Sequence, residues 1–215
     1  MWVLLTLTIF GFGFMSVSQY YESIMSESYN MIPEDVTVAE GVFPIVYAII
    51  LMIAGFAGDL LGRKKLILIY SIITVISMIM FNVSSYLAFS PIIIGIFMSL
   101  SRSAYYTAYD YISMMVAEKS PTSNRSSVVG AVSLVSNLGT GIGYGLIMVL
   151  LLLISTKAIG VTCILVATPP IIVAMIIMML KVKETKGTDL EKVGEEQAYI
   201  EKEKLEEEKI EIDVK

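Results

Sequence analysis

Long runs of apolar residues without a single charge recur along residues 1–180. A helix that crosses a bilayer needs about 20 mostly apolar residues. The runs therefore predict an all-α integral membrane protein, a bundle of six transmembrane helices over residues 1–180. The polar stretch that begins at Asn82 separates the third helix from the fourth, which starts at Pro91. The predicted spans are residues 2–22, 41–58, 65–82, 91–117, 127–151 and 159–180.

The composition agrees with a membrane protein, and the charges are concentrated at one end. Hydrophobic residues make up 56% of the 215 residues and charged residues 16%, whereas soluble domains carry about 25% charged residues. The segment 181–215 holds 20 of the 35 charged residues. We therefore predict two regions, the transmembrane region 1–180 and a charged cytoplasmic tail, 181–215.

The residue types that are missing exclude several functions. The chain has no histidine and one cysteine, Cys163, which removes the usual general base and any cysteine-based zinc site. We therefore predict no enzyme activity, no metal and no cofactor. The sequence has no basic patch, and nucleic-acid binding is not expected.

The basic residues predict the orientation. Six spans place both termini on one side of the membrane, and cytoplasmic loops are enriched in Lys and Arg. With cytoplasmic termini, eight basic residues flank the inner helix ends and only Lys157 lies outside. Both termini are therefore predicted to be cytoplasmic. The eight are Arg63, Lys64, Lys65, Lys119, Arg125, Lys181, Lys183 and Lys186.

Three strings lie on the predicted cytoplasmic side. The first runs from Gly55 to Lys65 and reads GFAGDLLGRKK, with Gly55, Asp59, Gly62, Arg63 and Lys64 at its key positions. Taken alone, it is also compatible with an ordinary tight turn that carries basic residues. The second string is EKSPTSNR, from Glu118 to Arg125, and the third is ETKGTDLE, from Glu184 to Glu191.

Together, these strings resemble signatures of the major facilitator superfamily. The first is similar to the G-x-x-x-D-x-x-G-R-K signature, with Leu60 where the family usually has a basic residue. The other two resemble loops of the sugar-porter branch, and the third follows the last helix there. The resemblance thus implies the C-terminal six-helix half of a transporter in the plasma membrane. It also implies a cytoplasmic gate, with Gly55, Asp59, Gly62, Arg63, Lys64, Glu118, Arg125 and Glu184 as candidates. A static charge cluster is the alternative.

The fourth predicted helix carries two charges inside the membrane. Arg102 lies 11 residues after Pro91, about 16 Å along the helix, and Asp110 lies two turns further on. A charge at such depth usually faces a partner or a cavity. The candidates for the substrate pathway are Arg102, Tyr105, Tyr106, Tyr109 and Asp110, which share one face or its edge, and Gln19 and Tyr20 in the first helix. A structural ion pair with neighbouring helices is the alternative.

These features predict transmembrane transport of a small polar or charged solute, a sugar or an organic ion, by alternating access. Asp110 offers a group for proton-coupled symport. The expected partners are the lipid bilayer, the solute, and either an N-terminal half-transporter or a second copy. A different hypothesis is a non-transporting membrane scaffold or regulator that acts through its cytoplasmic tail.

Overall fold

The computed structural model describes residues 2–15, 17–120, 125–182 and 184. The side chains of Phe14, Met15, Asp59 and Thr156 are outside this description, as is the predicted tail beyond Glu184. Every regular element in the described residues is helical, which agrees with the all-α prediction.

The helices follow one another with short connections. In chain order they are α1 (Trp2–Phe10) with a π-helical continuation (Gly11–Met15), α2 (Tyr21–Ser23) with a second π-helix (Ile24–Ser28), α3 (Pro33–Gly41), α4 (Phe43–Leu61), α5 (Arg63–Tyr86), α6 (Pro91–Glu118), α7 (Arg125–Leu153), a 3₁₀ turn (Thr156–Ala158) and α8 (Ile159–Lys181).

Local sequence explains several of these boundaries. Pro91 occupies the first turn of α6, where its missing N–H leaves no hydrogen bond unmade. Gly62 alone separates α4 from α5 and adopts a φ of 87°, a conformation that costs glycine little and other residues more. A one-residue turn can therefore reverse the chain between two long helices.

The first predicted span, residues 2–22, differs from the structure. The helix changes to π geometry at Gly11, and Val17, Ser18 and Gln19 form a turn before α2 begins at Tyr21. Glycine is a weak helix former. At Gly11 an added Cβ would lie 2.9 Å from the Ser136 hydroxyl of α7. Close packing against α7 thus accompanies the departure from α-helical geometry.

Four helical stretches are long and apolar enough to cross a membrane. They are Pro33–Gly58, Arg63–Tyr86, Arg125–Leu153 and Ile159–Lys181. The apolar helix Trp2–Gly13 is shorter, and the 28-residue helix α6 is more polar in its middle. The structure thus supports a membrane-spanning bundle, and the count of six spans stays a prediction.

Helix α6 lies at the centre of the bundle and contacts α1, α3, α4, α5 and α7. It crosses α3 closely, since a Cβ added to Gly95 would lie 2.5 Å from the carbonyl oxygen of Ala39. On the other side of the bundle, Gly139 of α7 approaches the backbone of Thr8 in the same way. These close crossings hold the helices that carry the candidate site residues.

Candidate functional site

The turn between α4 and α5 brings together five predicted gate residues: Gly62, Arg63, Lys64, Glu118 and Glu184, here called the turn cluster. Arg63 Nη2 lies 2.8 Å from Glu118 Oε1 at the end of α6, and the two side chains are 22% and 16% exposed. Because both groups are largely shielded from solvent, water and salt screen their attraction less than in a fully exposed pair, and the desolvation of the two charges offsets part of this gain.

Glu184 caps the start of α5. Its two carboxylate oxygens accept hydrogen bonds from the backbone N–H groups of Arg63 (3.1 Å) and Lys64 (3.0 Å). These donors have no partner within the helix, and the positive end of the helix dipole favours a carboxylate there. The segment after α8 is thereby fastened to the first turn of α5.

Lys64 makes the reciprocal contact. Its Nζ donates to the carbonyl oxygens of Met179 (2.9 Å) and Val182 (2.8 Å) at the end of α8. The last carbonyls of a helix lack intrahelical donors and attract cations. Each of the two helices therefore supplies a charged side chain that caps the other one.

Three gate candidates are not among the residues that make these contacts in the described part of the chain. A Cβ at Gly55 would meet nothing within 4 Å, so this glycine does not mark the close approach that its motif suggests. Asp59 belongs to α4, but its side chain is outside the described residues. Arg125 begins α7, and neither ion pair found between described residues includes it.

Sequence reasoning missed Tyr111, which occupies the space left by another glycine of the first string. Its hydroxyl donates to the carbonyl oxygen of Ala54 (2.6 Å), and a Cβ at Gly58 would lie 2.7 Å from the same hydroxyl. Gly58 therefore allows α4 and α6 to pack closely beside the turn cluster.

Arg102 has its partners on α3 and α4. Its guanidinium lies 3.6 Å from Glu40 Oε2 and 4.5 Å from the centre of the Phe43 ring. Glu40 lies in the predicted connection between the spans 2–22 and 41–58, and neither it nor Phe43 was predicted as a partner of Arg102. A carboxylate and an aromatic ring face both stabilise a guanidinium. The inter-helical ion pair that was the alternative for Arg102 is thus present.

The three tyrosines predicted on the same face differ in their surroundings. Tyr105 is fully buried, and its ring stacks on Phe10 with a centroid distance of 4.8 Å. Tyr106 and Tyr109 are half-buried, and Tyr106 meets Tyr47 of α4 edge to face at 6.2 Å. Tyr106 and Tyr109 are therefore accessible from outside the bundle, whereas Tyr105 belongs to its core.

Asp110 lies two turns beyond Arg102 and lines a separate cavity between α4 and α6. The cavity has a volume of about 260 Å³. Asp110 is exposed, and neither ion pair between described residues includes it. The two charges in the middle of α6, Arg102 and Asp110, thus occupy two different environments. The cavity is lined by Leu51, Ala54, Gly55, Gly58, Arg63, Thr107, Asp110, Tyr111 and Met114.

The candidates from the first helix lie at its break. Gln19 is exposed in the turn before α2, and the half-buried ring of Tyr20 lies 5.7 Å from that of Tyr144 on α7. The neighbouring Tyr21 is the residue that reaches α6, since its hydroxyl shares a 2.9 Å hydrogen bond with Ser101. An apolar helical pattern gave no signal for this buried polar contact.

Asn82 starts a short N-V-S sequence that matches a glycosylation acceptor, but its side chain is buried and bonded. Its Oδ1 accepts a hydrogen bond from the Tyr29 hydroxyl (2.9 Å), and its Nδ2 donates to Met78 (3.0 Å). Burial raises the pKa of Tyr29, so this phenol stays a donor at neutral pH. Asn82 therefore joins α5 to the segment before α3.

Metal chemistry finds no support in the part of the chain that the structure describes. No group of three or more Asp, Glu, Cys or His side chains could hold a metal ion there. Cys163 is buried in α8, where it packs as a small apolar residue.

One of the comparisons with known proteins agrees with the resemblance, at the level of the superfamily. A family model described as Major Facilitator Superfamily matches residues 3–209. Searches of curated proteins and of solved structures found no match.

Proposed function

Because the chain belongs to the major facilitator superfamily, a family of membrane transporters rather than enzymes, we propose that it moves a small polar or charged solute by alternating access. One observation carries this proposal. The middle of α6 holds Arg102, Tyr106, Tyr109 and Asp110, all at least partly accessible, although the bundle around them is apolar. Charges inside a membrane protein usually mark the path of a substrate or ion.

We also propose that the turn cluster acts as the cytoplasmic gate. Its support is that α5, α6 and α8 are joined there by polar contacts and by the Arg63–Glu118 pair. The hydrogen bonds of Glu184 and Lys64 are largely exposed to solvent, where water replaces a lost partner, so these contacts can break and re-form at modest cost. Opening would separate the helix ends without disturbing the apolar core.

The finer parts of the assignment are proposals as well. The order of the three cytoplasmic strings supports a sugar-porter-like C-terminal half, which would work with an N-terminal half or a second copy. Positive residues near the inner helix ends support cytoplasmic termini, and the resemblance supports the plasma membrane. Asp110, with no ion pair among the described residues, is our candidate for proton coupling.

Uptake into proteoliposomes tests the transport proposal. The protein would be reconstituted alone and with any six-helix segment encoded upstream, then assayed with labelled sugars and organic ions. We expect uptake by one of these preparations, and its loss in Arg102→Ala and in Asp110→Asn while both variants keep the parent's thermal unfolding. Normal uptake in both variants would contradict the site assignment.

The scaffold hypothesis makes a different prediction for the same preparations. No solute would enter the vesicles, whereas the segment 194–215 would capture a specific protein from a membrane extract. This segment is outside the described residues, so the capture experiment must use the full chain and a variant without residues 194–215. Equal capture by both would remove the tail from consideration.

A further inference from the structure

The cavity between α4 and α6 has the size and the walls of a small-molecule site. Its volume of about 260 Å³ exceeds the apolar cavity of about 150 Å³ that binds benzene in a well-studied protein. Leu51, Ala54 and Met114 supply apolar surface, and the polar groups are few. An apolar cavity with a few converging polar groups is the usual form of a ligand site.

The charge of this cavity is not balanced. Arg63 lines it, but Arg63 is already paired with Glu118 at 2.8 Å. Asp110 is left without a counter-ion among the described residues. The Arg63–Glu118 pair sums to zero, so among the described side chains at this site one negative charge is left, that of Asp110. An uncompensated carboxylate between membrane helices favours binding of a cation.

Thr107 supplies a second polar group. It is 2% exposed, it lines the cavity, and its hydroxyl has no hydrogen-bond partner. Buried helical threonines normally bond to the carbonyl four residues earlier, as Thr74 does to Tyr70 at 2.8 Å. A buried hydroxyl without a partner is costly. A ligand that offers an N–H donor to Thr107 would remove this cost.

We propose that this cavity binds a small protonated organic amine. The ammonium group donates N–H bonds to the Asp110 carboxylate and the Thr107 hydroxyl, while the apolar body contacts Leu51, Ala54 and Met114. A divalent metal fits poorly, because it requires six or more oxygen ligands and the walls are mainly apolar. That the amine is the transported substrate rests on the proposed transport function. That the cavity binds an amine does not depend on it.

Equilibrium binding tests the proposal without any transport assay. Phenethylamine is the probe, titrated calorimetrically into the full-length protein in detergent micelles at neutral pH, with empty micelles as the blank. The neutral isostere phenethyl alcohol and the anion phenylacetate are the matched ligands. We expect saturable binding of the amine and at least about tenfold weaker binding of the other two, since hydrogen bonds to charged groups contribute most of such discrimination.

Variants identify the groups that bind. Asp110→Asn should weaken amine binding at least about tenfold, and Thr107→Val should weaken it by a smaller factor. Glu34→Gln, an exposed acid on α3, and Thr74→Val, a buried threonine with its own bond, are the controls and should bind like the parent. Thermal unfolding shows that each variant is folded.

Several results would overturn the proposal. One is binding of the alcohol as tight as that of the amine, and another is unchanged amine affinity in Asp110→Asn. Tighter binding of zwitterionic phenylalanine, lost in Arg63→Gln, would show that the site selects both charges instead. If the protein binds no amine but takes up a solute in a proton-driven way, the amine site is refuted, and Asp110 would then bind protons only.

Amine binding without uptake of any solute would retain the site and refute the transport proposal.

Discussion

Removal of the Glu184 side chain tests whether the turn cluster holds the ends of α5 and α8 together. In Glu184→Ala, the backbone N–H groups of Arg63 and Lys64 lose their acceptors, and the first turn of α5 loses its negative charge. Lys64 still donates to the end of α8. The contact between the two helices should therefore weaken without being abolished.

The expected effect is moderate. Loss of a helix-capping side chain costs about 0.5–2 kcal/mol, and a charge near a helix terminus contributes about 0.3–1 kcal/mol. Glu184 is exposed, so solvent screening lowers the sum. We expect about 1–2 kcal/mol, which shifts the opening equilibrium of the helix ends by roughly 5–30-fold.

Cysteine labelling measures this opening. Val182 is 3% exposed at the end of α8, so Val182→Cys in a Cys163→Ala background reacts with a membrane-impermeant maleimide only when the helix ends separate. We expect labelling to be roughly 5–30-fold faster in Glu184→Ala. Glu184→Gln keeps one carbonyl oxygen as a hydrogen-bond acceptor and should react at an intermediate rate. Glu27→Ala, an exposed acid of the second π-helix, is the control. An unchanged labelling rate in Glu184→Ala would refute the capping argument.

Three further predictions concern the bundle. Gly139→Ala should lower thermal stability by about 1–3 kcal/mol, because its Cβ would lie 2.8 Å from a backbone oxygen, whereas Gly141→Ala, with nothing within 4 Å, should match or exceed the parent. Expression in a glycosylating host should leave Asn82 unmodified, as seen by mass spectrometry; a glycan there would contradict its burial. In a double-mutant cycle, Arg102→Ala and Glu40→Ala should cost less together than the sum of the two single changes; additive losses would exclude coupling between them.

The sequence predicted the helices well where hydropathy alone determines them. Five of the six predicted spans coincide with long helical stretches of the structure, because apolar runs of this length have few other ways to be buried in a membrane. The change to π-helical geometry at Gly11 and the turn formed by Val17, Ser18 and Gln19 were missed, since residues 1–21 are charge-free and no proline interrupts them. The change at Gly11 accompanies close packing against α7, a contact between distant residues that hydropathy cannot reveal.

The candidate site could be predicted only in part, for a related reason. A helical wheel places Tyr105, Tyr106 and Tyr109 on one face, but it does not show which edge of that face meets another helix. The stacking of Tyr105 on Phe10 depends on where α1 packs. The pairing of Arg102 with Glu40 was missed in the same way, because residue 40 falls outside the predicted spans, whereas in the structure it belongs to α3, which precedes α4 and packs against α6.

The two charges in the middle of α6, Arg102 and Asp110, differ in whether an opposite charge lies beside them, and their removal should therefore have opposite electrostatic effects. Arg102 has Glu40 and Phe43 beside it, whereas no described acid–base pair includes Asp110. Removal of Arg102 therefore leaves a second carboxylate without a partner, Glu40, and makes the surroundings of Glu40 more attractive to cations. Removal of Asp110 makes the cavity between α4 and α6 less attractive to cations. Equal losses of transport in the two variants would thus have different physical causes, and the affinity for a cation separates them.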